Sequence, residues 1–346
     1  MTASNLATRA RALQAEEPRL RARDLAARLG VSEAELLDVR VGADVTRLRP
    51  DMRHLLKKMP GVGRVMCLTR NDAAVHERRG TYTKGSMHGR FGLVVGPDID
   101  LRLFPAHWCS AYRVQTQAGN RKLDSIQIFD AHGTASQKIY AESSSNGEAW
   151  EALIAELLHE DQSAGQLSVE PIPEAADLSV PEEFDAEGFL EEWAGMQDTH
   201  DFFGMLRRSK LPYGTAFAVA EGRFTRRLDT GIAQTLLEKA AEQELPIMVF
   251  VGNRGCIQIH TGPVKRIMCR NGWTNVLDPA FNLHLRDELV HRAWAVTKPT
   301  SDGPVSSVEL IDDQANVLVR FFGERKPGRP ELAAWRALVD SLPTAN

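Results

Sequence analysis

Apolar and polar positions alternate over several short stretches of this chain. Residues 99–104 (I-D-L-R-L-F) and 281–285 (F-N-L-H-L) do so, as a strand with one buried face does. The same holds at 123–129 (L-D-S-I-Q-I-F), at 305–311 (V-S-S-V-E-L-I) and at 317–322. Turn residues such as D-A-H-G at 130–133 separate them. Helical patterns over 147–158 and 330–341 follow two of these strand clusters, and helical patterns also precede the strands. Strand runs bracketed by helices, without strict β-α-β alternation, predict an α+β fold with antiparallel sheets.

The pattern occurs twice. With an offset of 182 the chain aligns with itself without a gap from Val65 to Glu142, giving 12 identities over 78 positions. Composition alone would give roughly five. Asn71 meets Asn253, Gly80 meets Gly262, Pro97 meets Pro279 and Asp130 meets Asp312. Similar residues extend the match: Tyr112 faces Trp294, Lys138 faces Arg320 and, after a short slip, Trp150 faces Trp335. A duplication explains this offset. The expected architecture is a tandem structural duplication, two similar units each with a large antiparallel sheet and flanking helices. The expected boundaries are 1–160 for the N-terminal repeat, 161–184 for an acidic linker with Pro171, Pro173 and Pro181, and 185–346 for the C-terminal repeat.

Composition narrows the function classes. Lys plus Arg number 42 and Asp plus Glu 46, a formal charge of −4, which argues against general nucleic-acid binding through a basic coat. No run of about 18 apolar residues occurs, so no membrane insertion is expected. The start runs through Arg9, Arg11 and Arg19 without the apolar core of a secretory signal. Cys67, Cys109, Cys256 and Cys269 are isolated, which fits reduced thiols in a cytoplasm. No C-x-x-C, H-E-x-x-H or G-x-x-x-x-G-K-[ST] is present, so neither a dedicated zinc site nor a nucleotide fingerprint is expected.

The first candidate site lies after the linker. Phe189, Trp193, Met196, His200, Phe203 and Arg207 recur at helical spacing, placing an imidazole on an aromatic helix face. One reading is a core or interface histidine satisfied by a hydrogen bond. The other is an axial ligand to an iron porphyrin, which needs a neutral imidazole, flat apolar walls and cations for two propionates. Phe202, Phe203 and Met205 would supply walls, and Arg207 and Arg208 follow. The first repeat places Leu20 or a neighbour opposite His200, so the imidazole is outside the shared scaffold. The second candidate is Arg102, on the strand face opposite Leu101 and Leu103, with Phe104 two residues on. It reads either as a solvated strand arginine or as a pocket residue that holds water or an anion.

A different class is also represented. Residues 19–40 read as helix, Gly-Val-Ser turn, helix, the outline of a DNA-binding helix-turn-helix. Glu33, Glu35 and Asp38 would face the phosphates, which favours two packed structural helices.

Taken together, L-G-V-S-E-A-E-L at 29–36, D-L-R-L-F-x-A-H-W at 100–108, M-Q-D-T-H-D-F-F at 196–203, V-T-K-P-T-S-D-G at 296–303 and F-F-G-E-R-K at 321–326 are distinctive. Through them the chain resembles the bacterial haemin-degrading or haem-trafficking proteins of the HemS, ChuS and PhuS type, over nearly its whole length. The resemblance implies a cytoplasmic protein that receives imported haem. It implies His200 as the proximal iron ligand, Arg102 as the distal arginine, Phe104 and Phe203 as flanking aromatics, and Lys298 and Arg325 as cations near the propionates. Phe322 stands where relatives often carry tyrosine, which implies one hydroxyl contact fewer and looser haem binding.

The resemblance leaves two activities open, a carrier that hands haem to a downstream oxygenase and a haem-oxygenase-like degrading factor with an external reductase. Arg102 would then stabilise developing negative charge. A haem importer is a further implied partner. The alternative function is a haem-responsive regulator that binds DNA through residues 19–40.

Overall fold

The computed structural model describes residues 3–345 apart from 19, 120, 176 and 327. Its backbone separates into two compact units. Unit 1 comprises residues up to 70, 77–173 and 253–258; unit 2 comprises 71–76, 174–252 and 259 onward. The short segments 71–76 and 253–258 are equivalent under the 182-residue offset, so each unit contains the same piece from the other half of the sequence.

Unit 1 begins with α1 (Ala3–Glu16), α2 (Ala22–Leu29) and α3 (Glu33–Asp38). Gly30 ends α2 in the left-handed conformation (φ 69°), which L-residues with a Cβ disfavour, and Ser32 with Glu35 forms a capping box on α3. Next come β1 (Val45–Leu48), α4 (Met52–Val62), β2 (Arg64–Arg70), β3 (Ala74–Thr81, of which 77–81 belong to this unit), β4 (Gly85–His88), β5 (Phe91–Val95) and β6 (Asp100–Leu103). β7 (Ser110–Ala118), β8 (Arg121–Phe129), β9 (Ala135–Ala141) and α5 (Gly147–Leu157) complete it. β1-β7-β8-β9-β2 are neighbours in one antiparallel array, and β4-β5-β6 in another.

Unit 2 repeats the plan. It begins with α6 (Ala186–Ala194), α7 (Asp201–Ser209), α8 (Tyr213–Val219), β10 (Thr225–Leu228) and α9 (Ile232–Glu242). β11 (Ile247–Gly252), β12 (Cys256–Gly262, of which 259–262 belong to this unit), β13 (Ile267–Arg270), β14 (Trp273–Leu277) and β15 (Phe281–Arg286) follow. β16 (Arg292–Lys298), β17 (Val305–Ile311), β18 (Val317–Gly323) and α10 (Ala333–Asp340) end it. β10-β16-β17-β18-β11 and β13-β14-β15 are again antiparallel neighbours. The register irregularity between β8 and β9 falls at Ile128/Phe129, and that between β17 and β18 at Leu310/Ile311, equivalent positions. A bulge conserved between the copies is a designed feature of the strand rather than an accident. The α+β duplication with two large antiparallel sheets is therefore as the periodicity implies.

Alternation delivers the core of each unit. Ile126, Ile128 and Ile139 pack with Leu101, Leu103, Leu153 and Trp150 in unit 1; Val308, Leu310 and Phe321 pack with Leu283, Leu285, Leu338 and Trp335 in unit 2. Burying each such side chain stabilises by about 1.5–3 kcal/mol. Asn71 and Asn253 anchor the equivalent segments alike. Asn71 Oδ1 accepts from the N–H of Ala73 and Ala74, and its amide donates to the carbonyls of Gly252 and Leu318. Asn253 Oδ1 accepts from Gly255 and Cys256, and its amide donates to Arg70 and Ser136.

The segment expected as a linker forms no helix or strand among the described residues, but it is attached. Leu167 N–H donates to Asp38 (2.8 Å) within unit 1, and Thr215 donates to the Leu178 carbonyl (3.2 Å) within unit 2. No helix among the described residues is long and apolar enough to cross a membrane.

Candidate functional site

The sequence periodicity predicts one helix from Phe189 to Arg207, with His200 on its apolar face. The structure corrects this. α6 ends at Ala194, Gly195 follows it, and α7 begins only at Asp201. Phe189, Trp193 and Met196 are buried, and in α7 the buried set restarts as Phe202, Met205 and Leu206. His200, Phe203 and Arg207 consequently share the opposite, exposed face. The turn between the helices is closed by Asp201, whose Oδ2 accepts from the N–H of Gln197 (3.0 Å) and Asp198 (2.9 Å). Asp198 and Asp201 outcompete the helix there by accepting hydrogen bonds from the backbone N–H groups of His200, Gln197 and Asp198.

Beneath α7 lies an aromatic bed that fixes its position. Trp193 meets Phe202 at 4.6 Å between ring centroids and donates its indole N–H to the Thr297 carbonyl (3.0 Å). Phe202 stacks on Phe217 at 5.9 Å. Phe203 stays 45% exposed, with its ring 6.0 Å from that of Tyr213.

The His200 side chain is 87% exposed. Its Nδ1 lies 2.5 Å from Asp198 Oδ1, and its backbone N–H donates to the same oxygen at 2.8 Å. These two bonds, the backbone one first, hold the Asp198 carboxyl below the usual range, with a smaller contribution from the Arg325 cation. A carboxylate only accepts, so Nδ1 carries the ring proton and Nε2 keeps an outward lone pair. An open pocket of about 370 Å³ is lined by His200, Asp201, Gly204, Arg207, Arg208 and their neighbours on α6 and α7.

Lys298 and Arg325, the two cations expected near the propionates, have different settings. Lys298 is buried. Its Nζ lies 3.1 Å from Glu309 Oε1 and donates to Tyr213 Oη (3.2 Å), 4.5 Å above the Phe202 ring. Burial opposes its charge, but Glu309 and Tyr213 more than offset this and raise its pKa. Arg320 Nε reaches the other Glu309 oxygen at 3.1 Å, and Ser307 donates to Glu309 as well. Burial opposes the Glu309 charge, and the two cations overcome it, holding the carboxyl below its ordinary value. Two cations thus share one buried carboxylate. Arg325 is partly exposed, 3.8 Å from Asp302, and its buried Nε–H finds no hydrogen-bond partner among the described residues. Such an orphan donor fits an acidic group on a ligand.

Arg102 and Phe104 belong to unit 1. Leu101 and Leu103 are fully buried, so Arg102 points to the other face as the alternation requires. Its guanidinium pairs with Asp100, and Phe104 meets the exposed ring of Phe91 edge-on at 5.9 Å. Sequence reasoning did not single out Asp198, Tyr213, Glu309 or Arg320 for this site. The D-x-H spacing at 198–200 was a usable signal; the others needed the register of β16, β17 and β18.

The helix-turn-helix alternative finds no support. Glu33 of α3 is buried against Arg70 and Lys138, and Asp38 accepts from Arg47 Nη2 (2.6 Å) and Tyr112 Oη (3.0 Å). These acids hold the helix to its own sheet. Arg19, at the head of that segment, lies outside the described residues.

The family described as the haemin-degrading HemS.ChuX domain matches residues 30–157 and again 210–342. The chain belongs to this family. The double match follows the same repeat that the 182-residue offset defines. The chain is 39% identical over 330 residues to the hemin transport protein HmuS of Yersinia pestis, covering 95% of this chain and 94% of that protein. It is similar to the crystal structure of holo-PhuS, a heme-binding protein from Pseudomonas aeruginosa, with 43% identity, full coverage of both chains and a TM-score of 0.96. ChuS, described as an E. coli heme oxygenase, is 36% identical over 98% of this chain and 99% of its own, with a TM-score of 0.87.

Proposed function

We propose that this protein binds haem as its cargo in the cytoplasm and carries haem delivered by an importer. The observation that carries the reading is His200: an exposed imidazole whose Nδ1 is tied to Asp198, leaving Nε2 open to a metal. In this reading Nε2 donates its lone pair to the iron. The exposed Phe203 ring meets the flat macrocycle, and Arg325, with its orphan Nε–H, pairs with a propionate. Lys298 acts chiefly through its charge, since its ammonium is already engaged by Glu309 and Tyr213. Support comes from the relatives, which are described as hemin transport and heme-binding proteins.

Titration of the full chain with haemin tests it. Wild type is expected to give a histidine-ligated Soret spectrum, and His200→Ala to lose it and bind more weakly. Equal spectra and affinities would remove His200 as the ligand.

A second reading is haem degradation, favoured by the similarity to a heme oxygenase. Electrons would come from an external reductase. The haem complex is incubated with ascorbate and catalase. A persistent Soret band with no open-chain tetrapyrrole or carbon monoxide leaves the carrier alone.

A further inference from the structure

An exposed histidine ordinarily rotates about χ1 and χ2, yet His200 is anchored twice to one atom. Its backbone N–H and its Nδ1 both meet Asp198 Oδ1, at 2.8 and 2.5 Å. Asp198 is fixed in turn, because its own N–H donates to Asp201 Oδ2 at 2.9 Å. Ser301 N–H donates to the Gln197 carbonyl (2.9 Å), tying this turn to the loop after β16. The carboxylate is therefore placed before any ligand arrives. We propose that Asp198 is a positioning residue that locks the His200 ring with Nε2 outward and strengthens its electron donation to bound haem iron. The inference rests on the reading of His200 as ligand.

The chemistry is general. A ligating imidazole that donates its second N–H to a carboxylate has a fixed tautomer and a more basic metal-bound nitrogen. A more basic axial ligand favours ferric over ferrous iron, so it lowers the midpoint potential. Truncating the carboxylate removes both effects while His200 itself remains.

The experiment compares the full-length wild type with Asp198→Asn, Asp198→Ala and Asp201→Asn, each loaded with haemin. Circular dichroism checks folding. Asp201→Asn disturbs the same turn without touching the ring. Expected for Asp198→Ala are roughly tenfold weaker haemin binding, a more positive midpoint potential and a lower ferrous iron–histidine stretching frequency. Asp198→Asn, which keeps an accepting oxygen without the charge, falls between wild type and Asp198→Ala. Asp201→Asn, whose amide oxygen can still accept from the Asp198 N–H, lowers the stretching frequency less than Asp198→Ala does.

If Asp198→Ala keeps the wild-type potential and stretch, the proposal is overturned, even if affinity falls, because the role is then that of a turn former. Failure of the underlying reading looks different: His200→Ala would leave the spectrum intact whatever happens at Asp198.

Discussion

The two units solve one electrostatic problem in two ways. In each, a pair of cations meets one carboxylate in a poorly hydrated place. In unit 1 these are Arg70 and Lys138, and the carboxylate, Glu33, comes down from α3 in the helix layer. In unit 2 they are Lys298 and Arg320, and the carboxylate, Glu309, rises from the sheet itself. Lys138 and Arg320 are equivalent under the repeat, as are Gln127 and Glu309. Where unit 2 has Ser307 donating to Glu309, unit 1 has Gln127 donating to Ser125. Moving the acid from helix to sheet frees the helix layer of unit 2 from neutralising the sheet. α7 packs Phe202, Met205 and Leu206 inward, with the Lys298 ammonium over the Phe202 ring, and has His200 and Phe203 on its exposed side. The repeated frame is common to the two units, and the element that carries the carboxylate is what differs between them.

Removing each acid tests this comparison most severely. Glu309→Ala leaves two buried cations without their partner and is expected to destabilise by about 3–5 kcal/mol. Urea unfolding measures it. Glu33→Ala is expected to cost less, because Glu33, Arg70 and Lys138 retain some solvent contact while Glu309 has none. An equal or larger loss at Glu33 breaks the comparison.

Asn71→Ala and Asn253→Ala sharpen it from the shared side. Each removes equivalent hydrogen bonds from the exchanged segment, so both are expected to cost about 1–3 kcal/mol, and to similar degrees. Markedly unequal losses in thermal unfolding would show that the two anchors are not equivalent.

Lys138 carries a pH signature that its counterpart Arg320 lacks. Burial first, then the Arg70 charge, pushes Lys138 down to about 7 from its ordinary 10.5. Between those values the unfolded chain binds a proton that the native chain does not, so stability rises with pH across that window. Below it the contribution is flat. Lys138→Met is expected to flatten the rise in urea unfolding measured from pH 7 upward; an unchanged slope would disprove the shift. The smallest effect belongs to Phe322→Tyr. One added hydroxyl on the Arg320 face is expected to tighten haemin binding by about 1 kcal/mol, roughly fivefold, in the same titration.

Much of the scaffold was readable in the chain. Strand alternation at Leu101 and Leu103 or at Val308 and Leu310, and the 182-residue offset, depend only on which side of a sheet meets water. That rule acts locally and leaves a period of two in the sequence. The resemblance implied roles for His200 and Arg325, and their hydrogen-bond settings came only from the fold. The helix around His200 was misread because a spacing of four and three also continues across a break: Gly195 and the acids Asp198 and Asp201 ended one helix and began another with a different phase.

By itself, then, the sequence determined the duplicated α+β frame, its strands and the residue types present at the candidate site. The tertiary structure alone decided that His200 is exposed and bound to Asp198, that Lys298 is buried against Glu309, and that Glu33 and Asp38 of α3 face their own sheet. The reason is physical. Burial periodicity is written into neighbouring residues, whereas the partner of a charge depends on which distant strand or helix the folded chain brings beside it.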